Sequence, residues 1–591
     1  MNGQGVLALV PMDRTKTNRP YARSPIQRLA VAVAALLLTS GAPPPPVPTY
    51  DVIIRGGTIY DGSGGAPYVG DVLINGGKIV AVGPAAKARG RTEVDAAGKA
   101  VAPGFINMLS WAVDSLIEDG RSLGGIRQGV TLEIFGEGNS KGPWNSAMKA
   151  RDLKRQGDIK YDIAWTTLGE YLEHLERRGV SPNVASFVGA TTVRVHELGE
   201  EDVDPTPEQL TRMRSLVRTA MREGALGVGS SLIYAPANFA ETPELIALAE
   251  EAGKCGGLYI SHIRDEGPKL IESIDELIEI SRRSGAPAEI YHFKQSGREN
   301  WGKIDAAIAR VEAARAAGHA ITADMYTYPA SSTGFDAAFP LWIQEGGVER
   351  WIERLKDPNQ RARALAEMHG PRATENTKLV TEEPDKVLLV GFKTAALKPL
   401  TGRSLGDLSR ERGKRPEEVA ADLIVADQSR IQVVYFGMSE DNVRRAVGLP
   451  WMSFGSDAAS MAPEGVFLKS STHPRAYGNV ARLLGKYVRD EKATTLQDAV
   501  RRLTSLPAAN LRLKDRGWLK AGYAADVVVF DPATVRDHAT FQNPHQLATG
   551  VSDVLVNGVQ VLRGAKHTGA KPGKVVRGAG WSGWPGGGDC R

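Results

Sequence analysis

"LYISHIRDEGPKLIESIDELIEISRRSGAPAEIYHFKQSG", residues 258–297, sets two short apolar runs on either side of an amphipathic stretch, and each run ends in a histidine. Leu270, Ile271, Ile274, Leu277 and Ile278 recur with the 3.6-residue period on one stripe, and Gly285 stands where such a helix would stop. Two strands running the same way need a crossover, and a helix with one greasy stripe supplies both the crossover and the cover. The stretch therefore predicts a strand–helix–strand unit of a parallel sheet. The same alternation extends in both directions, with strand ends at "FINMLSW", "GVTLEIFGE", "NVASFVGAT" and "ALGVGSSLIY" before it and at "AITADMYTY" and "PWMSFGSD" after it. Eight such units predict an α/β protein built on a (β/α)8 TIM barrel over residues 104–513. Residues 334–449 are too many for one connection and contain strand-like pieces, "VLLVGF" and "IQVVYFGM", so they read as an insertion over the barrel mouth.

Outside the barrel the texture changes. "YDVIIRGGTIYDGSG", "DVLINGGKIVAVG" and "TEVDAAGKAVAPGF" near the start, and "AADVVVFD" and "VSDVLVNGVQVLRG" near the end, are short strands with glycine turns. Neither set has enough strands to cover its own apolar face, which predicts one small β-sandwich domain made jointly by residues 50–103 and 514–578. The glycine-rich stretch at 579–591 reads as a disordered tail.

The first 42 residues carry Arg14, Lys16, Arg19, Arg23 and Arg28 ahead of "LAVAVAALLL" and "TSGA", the layout of a signal peptide or leader. The apolar run is about half the roughly 20 residues a membrane span needs, so no stable span is expected. Residues 43–49 form a proline-rich spacer. Export to the periplasm or medium is the expectation. A net charge of +5, from 73 basic and 68 acidic residues, gives no footprint for nucleic acid. The two cysteines, Cys255 and Cys590, are too few to frame a disulfide-built fold.

In a barrel of this kind the chemistry lies at the carboxyl ends of the strands. His262, His292 and Asp457 each end a strand, and two imidazoles beside a carboxylate suit zinc. In "GVTLEIFGE", Glu133 and Glu137 share a face with Thr131 and Phe135, but Glu133 lies roughly 13 Å deeper at 3.3 Å per residue. Only Glu137 is expected to reach the mouth.

"YISHIRDEG", "YHFKQSG", "GALGVGSSLIYAPA", "DMYTYPASSTG", "GSDAAS", "HPRAYG" and "GWLKAGYAADVVVFD", in this order, resemble the amidohydrolase superfamily and within it the N-acyl-D-amino-acid deacylase (D-aminoacylase) branch. The resemblance runs from Tyr50 to about Gly578. It implies hydrolysis of an amide in a small-molecule substrate, an N-acyl-D-amino acid or a peptide with a D-residue, by metal-activated water. Departures matter as much as matches. Leu109 and Trp111 stand where the superfamily places a His-x-His pair, Ala190 where the branch often has histidine, and Gly138 where the deacylases place a cysteine ligand, with Glu137 one position before it. The resemblance then implies one Zn2+ per chain held by Glu137, His262 and His292, with Asp457 as proton carrier. Lys294, Tyr234, Tyr326, Ser332 and Arg475 match substrate-contacting positions, Lys294 or Arg475 being placed for the amino acid's carboxylate, and His473 is expected to line the site. Asp265 and Glu266 read as residues of a helix start. A hydantoinase-like or dihydroorotase-like cyclic amide hydrolase ranks lower, because those relatives rely on His-x-His. A non-catalytic binding protein on a degenerate fold ranks lower too, because it has no need of His262, His292 and Asp457 together.

Overall fold

Strands buried on both faces are apolar at nearly every position, and eight such runs appear where the sequence places them. The structure, a computed structural model, describes residues 49–84 and 87–590. The eight strands are β1 (Phe105–Asn107), β2 (Val130–Phe135), β3 (Asn183–Ser186, resumed at Val188–Gly189), β4 (Gly227–Ser231), β5 (Leu258–His262), β6 (Ala288–Ile290), β7 (Ile321–Met325) and β8 (Met452–Phe454). β1, β2 and the first part of β3 form one parallel sheet. The second part of β3 starts another that runs through β4 to β8, again all parallel. The result is a mixed α/β fold. Hydrogen bonds continue from β8 back to β1: Met108 N donates to Phe454 O at 3.2 Å and Asp457 N to Leu109 O at 2.9 Å.

The crossover between β5 and β6 is the helix Leu270–Ser284, with Leu270, Ile274, Leu277 and Ile280 buried. Gly285 ends it at a φ of 72°, a backbone conformation that costs glycine nothing. Ile271 and Ile278, expected on the same stripe, pack at its edges.

Strands from both chain ends join in one sheet of nine. The small β domain is thus made jointly by both ends of the described chain. Its long strand Thr49–Ile59 shifts register between Ile54 and Gly57, pairing first with Arg89–Asp95 and then with Ala100–Pro103. Alternation divides the sheet's side chains between two cores. Val52, Ile54, Val527, Val529 and Leu555 form the domain's own core, whereas Val528, Phe530, Val554 and Val556 join Phe105 in the main one.

The insertion begins at Ser331, slightly earlier than expected. Its antiparallel sheet, Ser331–Gly334, Gln432–Tyr435 and Val387–Gly391, has a separate core that includes Phe335, Trp351, Leu389 and Tyr435. It is tied to the chain after β2 by Lys398 on Asp158 at 2.6 Å and by Arg155, which pairs with Glu200 at 3.0 Å and with Glu349.

The expected disordered tail is corrected. Residues 579–590 are packed in turns: Trp584 Nε1 donates to Gly578 O at 2.9 Å, Ser582 N donates to Arg222 O at 2.9 Å, and Cys590 is disulfide-bonded to Cys255. Tryptophan and cysteine give this glycine-rich stretch anchors that its composition hides. Closing a loop with a sequence separation of 335 residues restricts the unfolded chain. Cys590→Ser is therefore expected to lower stability by about 2–4 kcal/mol in chemical denaturation under oxidising conditions. An unchanged midpoint would show that the bond does not tie the tail down. The leader at 1–42 and residues 43–48 of the spacer lie outside the described residues. Among the described residues no helix is long and apolar enough to cross a membrane.

Candidate metal centre and active site

The ends of β2, β5 and β6 bring three donors to one point. β2 is followed by Gly136, where a Cβ would lie 2.3 Å from Phe187 O, so glycine alone lets the chain pass this close to β3 before turning Glu137 inward. At Gly138, φ is 67° and a Cβ would lie 2.0 Å from Ser231 Oγ. A side chain is crowded there, and the preceding residue, Glu137, is the one that turns inward. Its Oε1 is 3.0 Å from His262 Nδ1 and 3.0 Å from His292 Nε2. The two imidazoles stand edge to face, 4.3 Å apart. All three ligand atoms lie within 4.8 Å of one another, and all three residues are buried. Two imidazole nitrogens and a carboxylate oxygen aimed at one point form a donor set of the kind zinc takes in catalytic sites, with a fourth position left for water or substrate.

A fourth residue completes this group. Glu266 accepts from Lys294 Nζ at 2.5 Å, and its oxygens lie 3.0 Å from His292 Nδ1 and 3.5 Å from His262 Nε2, so one carboxylate faces the outward nitrogens of both rings. The helix-start reading of Glu266 is thereby overturned. Asp265 has that local role, accepting from the backbone N–H groups of Gly267 and Lys269 at 2.8 Å each, and the turn it makes points Glu266 inward. Carboxylates behind ligand imidazoles fix ring orientation and raise basicity. Glu266→Gln is accordingly expected to weaken zinc binding by roughly 10–100-fold, read by competition with a chromogenic chelator. Equal affinity would remove Glu266 from the centre.

Electrostatics favour a cation. Burial would raise the Glu137 carboxyl, but hydrogen bonds from His262 and His292 outweigh it and hold the group below the usual carboxylate range. Glu266 behaves alike: burial acts upward, and the charges of His262, Lys294 and His292 win. Burial and Lys294 act downward on His292, yet Glu266 and Glu137 push it up to about 9. Burial keeps His262 below its ordinary value.

Asp457 stands beside this centre in a left-handed backbone conformation, φ 48°. Strained backbone of this kind is common at functional sites. His292 shares it at φ 37°, held by a bond from its N–H to Asp324 Oδ1 at 2.9 Å. Asp457 Oδ2 is 2.8 Å from Arg475 Nη2, and Oδ1 accepts from Trp111 Nε1 at 3.1 Å. Burial raises the Asp457 carboxyl; Arg475 opposes this and Glu137 adds to it. Leu109 is buried among Ile106, Met108 and Tyr291, whereas Trp111 reaches the cavity.

The remaining expected residues divide. Arg475 lies over the Tyr326 ring at 4.4 Å, and its Nε and Nη1 are buried without a hydrogen-bond partner. Lys294, expected to meet substrate, is occupied by Glu266 and by His292 Nδ1 at 2.8 Å. His473 uses both ring nitrogens, Nδ1 accepting from Arg475 N and Nε2 bonded to Ala330 O, each at 3.0 Å, so it positions Arg475. Ser332 Oγ donates to Val433 O, and Tyr234 OH to Thr333 Oγ1, both at 2.8 Å, which places them where the insertion joins the site. Tyr326 OH donates to Met438 Sδ at 3.4 Å. Glu133 stays below, bonded to Asn107 Nδ2 at 2.7 Å and Ser122 Oγ at 3.0 Å. All of these except Glu133 border a cavity of 740 Å³ whose lining also includes Trp144, Val348 and Trp351. That size suits a small organic ligand.

The chain is similar to known proteins over most of its length. Residues 447–562 match the model of the amidohydrolase family. The chain is 32% identical over 534 residues to the D-aminoacylase of Alcaligenes xylosoxydans xylosoxydans, covering 89% of this chain and 97% of that protein. It is 31% identical to the N-acyl-D-glutamate deacylase of the same organism, covering 89% and 96%. Among solved structures, a D-aminoacylase described as having a binuclear metal centre, with one-metal activation and second-metal attenuation, matches with a TM-score of 0.74 at 30% identity, over 89% of this chain and 100% of that one. The N-acyl-D-glutamate deacylase of Bordetella bronchiseptica, complexed with zinc and a phosphonate mimic of the tetrahedral intermediate, matches with a TM-score of 0.74 at 28% identity, over 90% and 100%. With this identity holding over nearly the full length of those relatives, the chain belongs to the N-acyl-D-amino-acid deacylase branch of the amidohydrolases.

Proposed function

We propose that the protein is a zinc-dependent deacylase that cleaves the amide bond of N-acyl-D-amino acids with one ion per chain, held by Glu137, His262 and His292. The observation that carries this is the meeting of those three donors within 4.8 Å of one another at the cavity that also holds Asp457 and Arg475. The eight parallel strands are inferred to close into one barrel, a reading supported by the bonds from β8 to β1.

When bound, zinc supplies Lewis acidity, polarising a carbonyl and bringing the pKa of water to about 7. The chain's own groups do the rest. Asp457 borders the same cavity as a carboxylate paired with Arg475, and burial raises its affinity for a proton, so it takes the proton of the attacking water and returns it to the leaving amine. Arg475 offers Nε and Nη1 to the substrate's carboxylate by charge-assisted hydrogen bonds, with its plane fixed by Tyr326 and its backbone N–H held by His473. Lys294 and Glu266 hold His292.

Hydrolysis of paired N-acetyl-D- and N-acetyl-L-amino acids by the zinc-loaded protein tests the reading. Turnover of the D series alone is expected, and equal turnover of both would count against it. Extending the pair to apolar and acidic side chains would separate the preferences that the relatives' names imply. Export is proposed as well. The Cys255–Cys590 bond supports it, because such bonds persist in oxidising compartments. Thiol trapping of the protein in fractionated cells would find it oxidised outside the cytoplasm, and a reduced cytoplasmic pool would refute the proposal.

A further inference from the structure

Trp111 occupies an unusual place for an indole. Its backbone is fixed from two sides: Ser110 N donates to Ile134 O at 2.8 Å, and Trp111 N to Ala458 O at 3.0 Å. From that platform the residue, 36% exposed, presents the single N–H of its ring to two carboxylates at once, Glu137 Oε2 at 3.0 Å and Asp457 Oδ1 at 3.1 Å. Each acid has its other oxygen committed elsewhere: Glu137 Oε1 faces the two imidazoles, and Asp457 Oδ2 faces Arg475. Both carboxylates are thus fixed at each oxygen, and among the described residues Trp111 is the one whose side chain hydrogen-bonds to both.

Two facing carboxylates invite a bridging cation. Here the place between them is taken by a group with a donor and no lone pair, which cannot ligate metal. We propose that Trp111 is a positioning residue whose N–H bridges the metal-ligand carboxylate of Glu137 and the proton-carrying carboxylate of Asp457, so that the protein works with a single ion and gives a second one no seat. The bridge leaves Glu137 one oxygen for the ion and keeps Asp457 turned toward the cavity. For the role of Asp457 the inference rests on the deacylase reading above.

Trp111→Phe keeps an aromatic ring at a half-exposed position and removes only the N–H. Zinc affinity measured by chelator competition is expected to fall by about 10–100-fold, the range for partners behind a metal ligand. At saturating zinc, kcat for an N-acyl-D-amino acid is expected to fall by a similar factor while KM stays within about 3-fold, because ground-state binding through Arg475 is untouched. The parent protein, titrated with excess zinc, is expected to bind one ion per chain and to hold its activity constant. Unchanged affinity and kcat in the variant would overturn the bridge, and a second zinc bound by the parent would overturn the single-ion consequence. If the parent hydrolyses no N-acyl-D-amino acid, the deacylase reading falls, while the affinity ratio of variant to parent still decides the bridge.

Discussion

Asp457→Asn is expected to lower kcat by about 10²–10⁴-fold, the usual contribution of a positioned acid–base group. The amide is nearly isosteric, so the backbone bend at φ 48° and the bond from its N–H to Leu109 O remain available. An amide nitrogen accepts no proton from water and returns none to the leaving amine. Zinc content is expected to stay at the parent's level, because the ligand triangle of Glu137, His262 and His292 does not include residue 457. KM is expected to hold or fall. Arg475 loses its protein carboxylate and, being buried, finds its next counter-charge in the carboxylate of the substrate. Steady-state kinetics paired with metal analysis reads all three quantities. A variant that turned over like the parent would leave some other group carrying the proton.

What the sequence discloses of this site depends on how far each residue stands from its own strand. His262, His292 and Asp457 were legible because each ends an apolar run, and runs of that kind point their last side chains at a barrel's mouth. Glu137 was legible from alternation, which set it apart from Glu133 on the same face. Glu266 was not. It follows His262 by four positions across an irregular turn, where no period applies, and the neighbouring Asp265 carries the local signal of a helix start, which hides the inward turn of Glu266. Trp111 was legible as a departure but not as a donor, since its partners come from the ends of two other strands, β2 and β8. The same contrast holds for the fold. The parallel strands announce themselves locally, while the Cys255–Cys590 bond joins residues 335 positions apart and the tail's composition says nothing of it.

Glu137→Gln carries the other large expectation, a loss of zinc affinity of more than about 100-fold, beyond the range for partners that do not themselves ligate. Charge is one cause, since the centre loses its anionic donor and the cation keeps two neutral rings. Hydrogen-bond direction is the other. In the parent, one carboxylate oxygen faces the imidazole nitrogens and the other accepts from Trp111 Nε1. A glutamine amide has one oxygen and one NH₂ group. If its oxygen turns to the ion, its NH₂ meets the indole N–H, donor against donor; if its oxygen turns to Trp111, its NH₂ meets the ion. Either choice leaves one contact repulsive at a buried side chain, where an unmatched polar group costs about 1–3 kcal/mol. Chelator-stripped parent protein is expected to regain activity as zinc is returned at one equivalent, and the variant to stay inactive at that concentration. Should the variant bind zinc as tightly as the parent, the ion is held by a different set of donors, and the triangle of Glu137, His262 and His292 is not the metal centre.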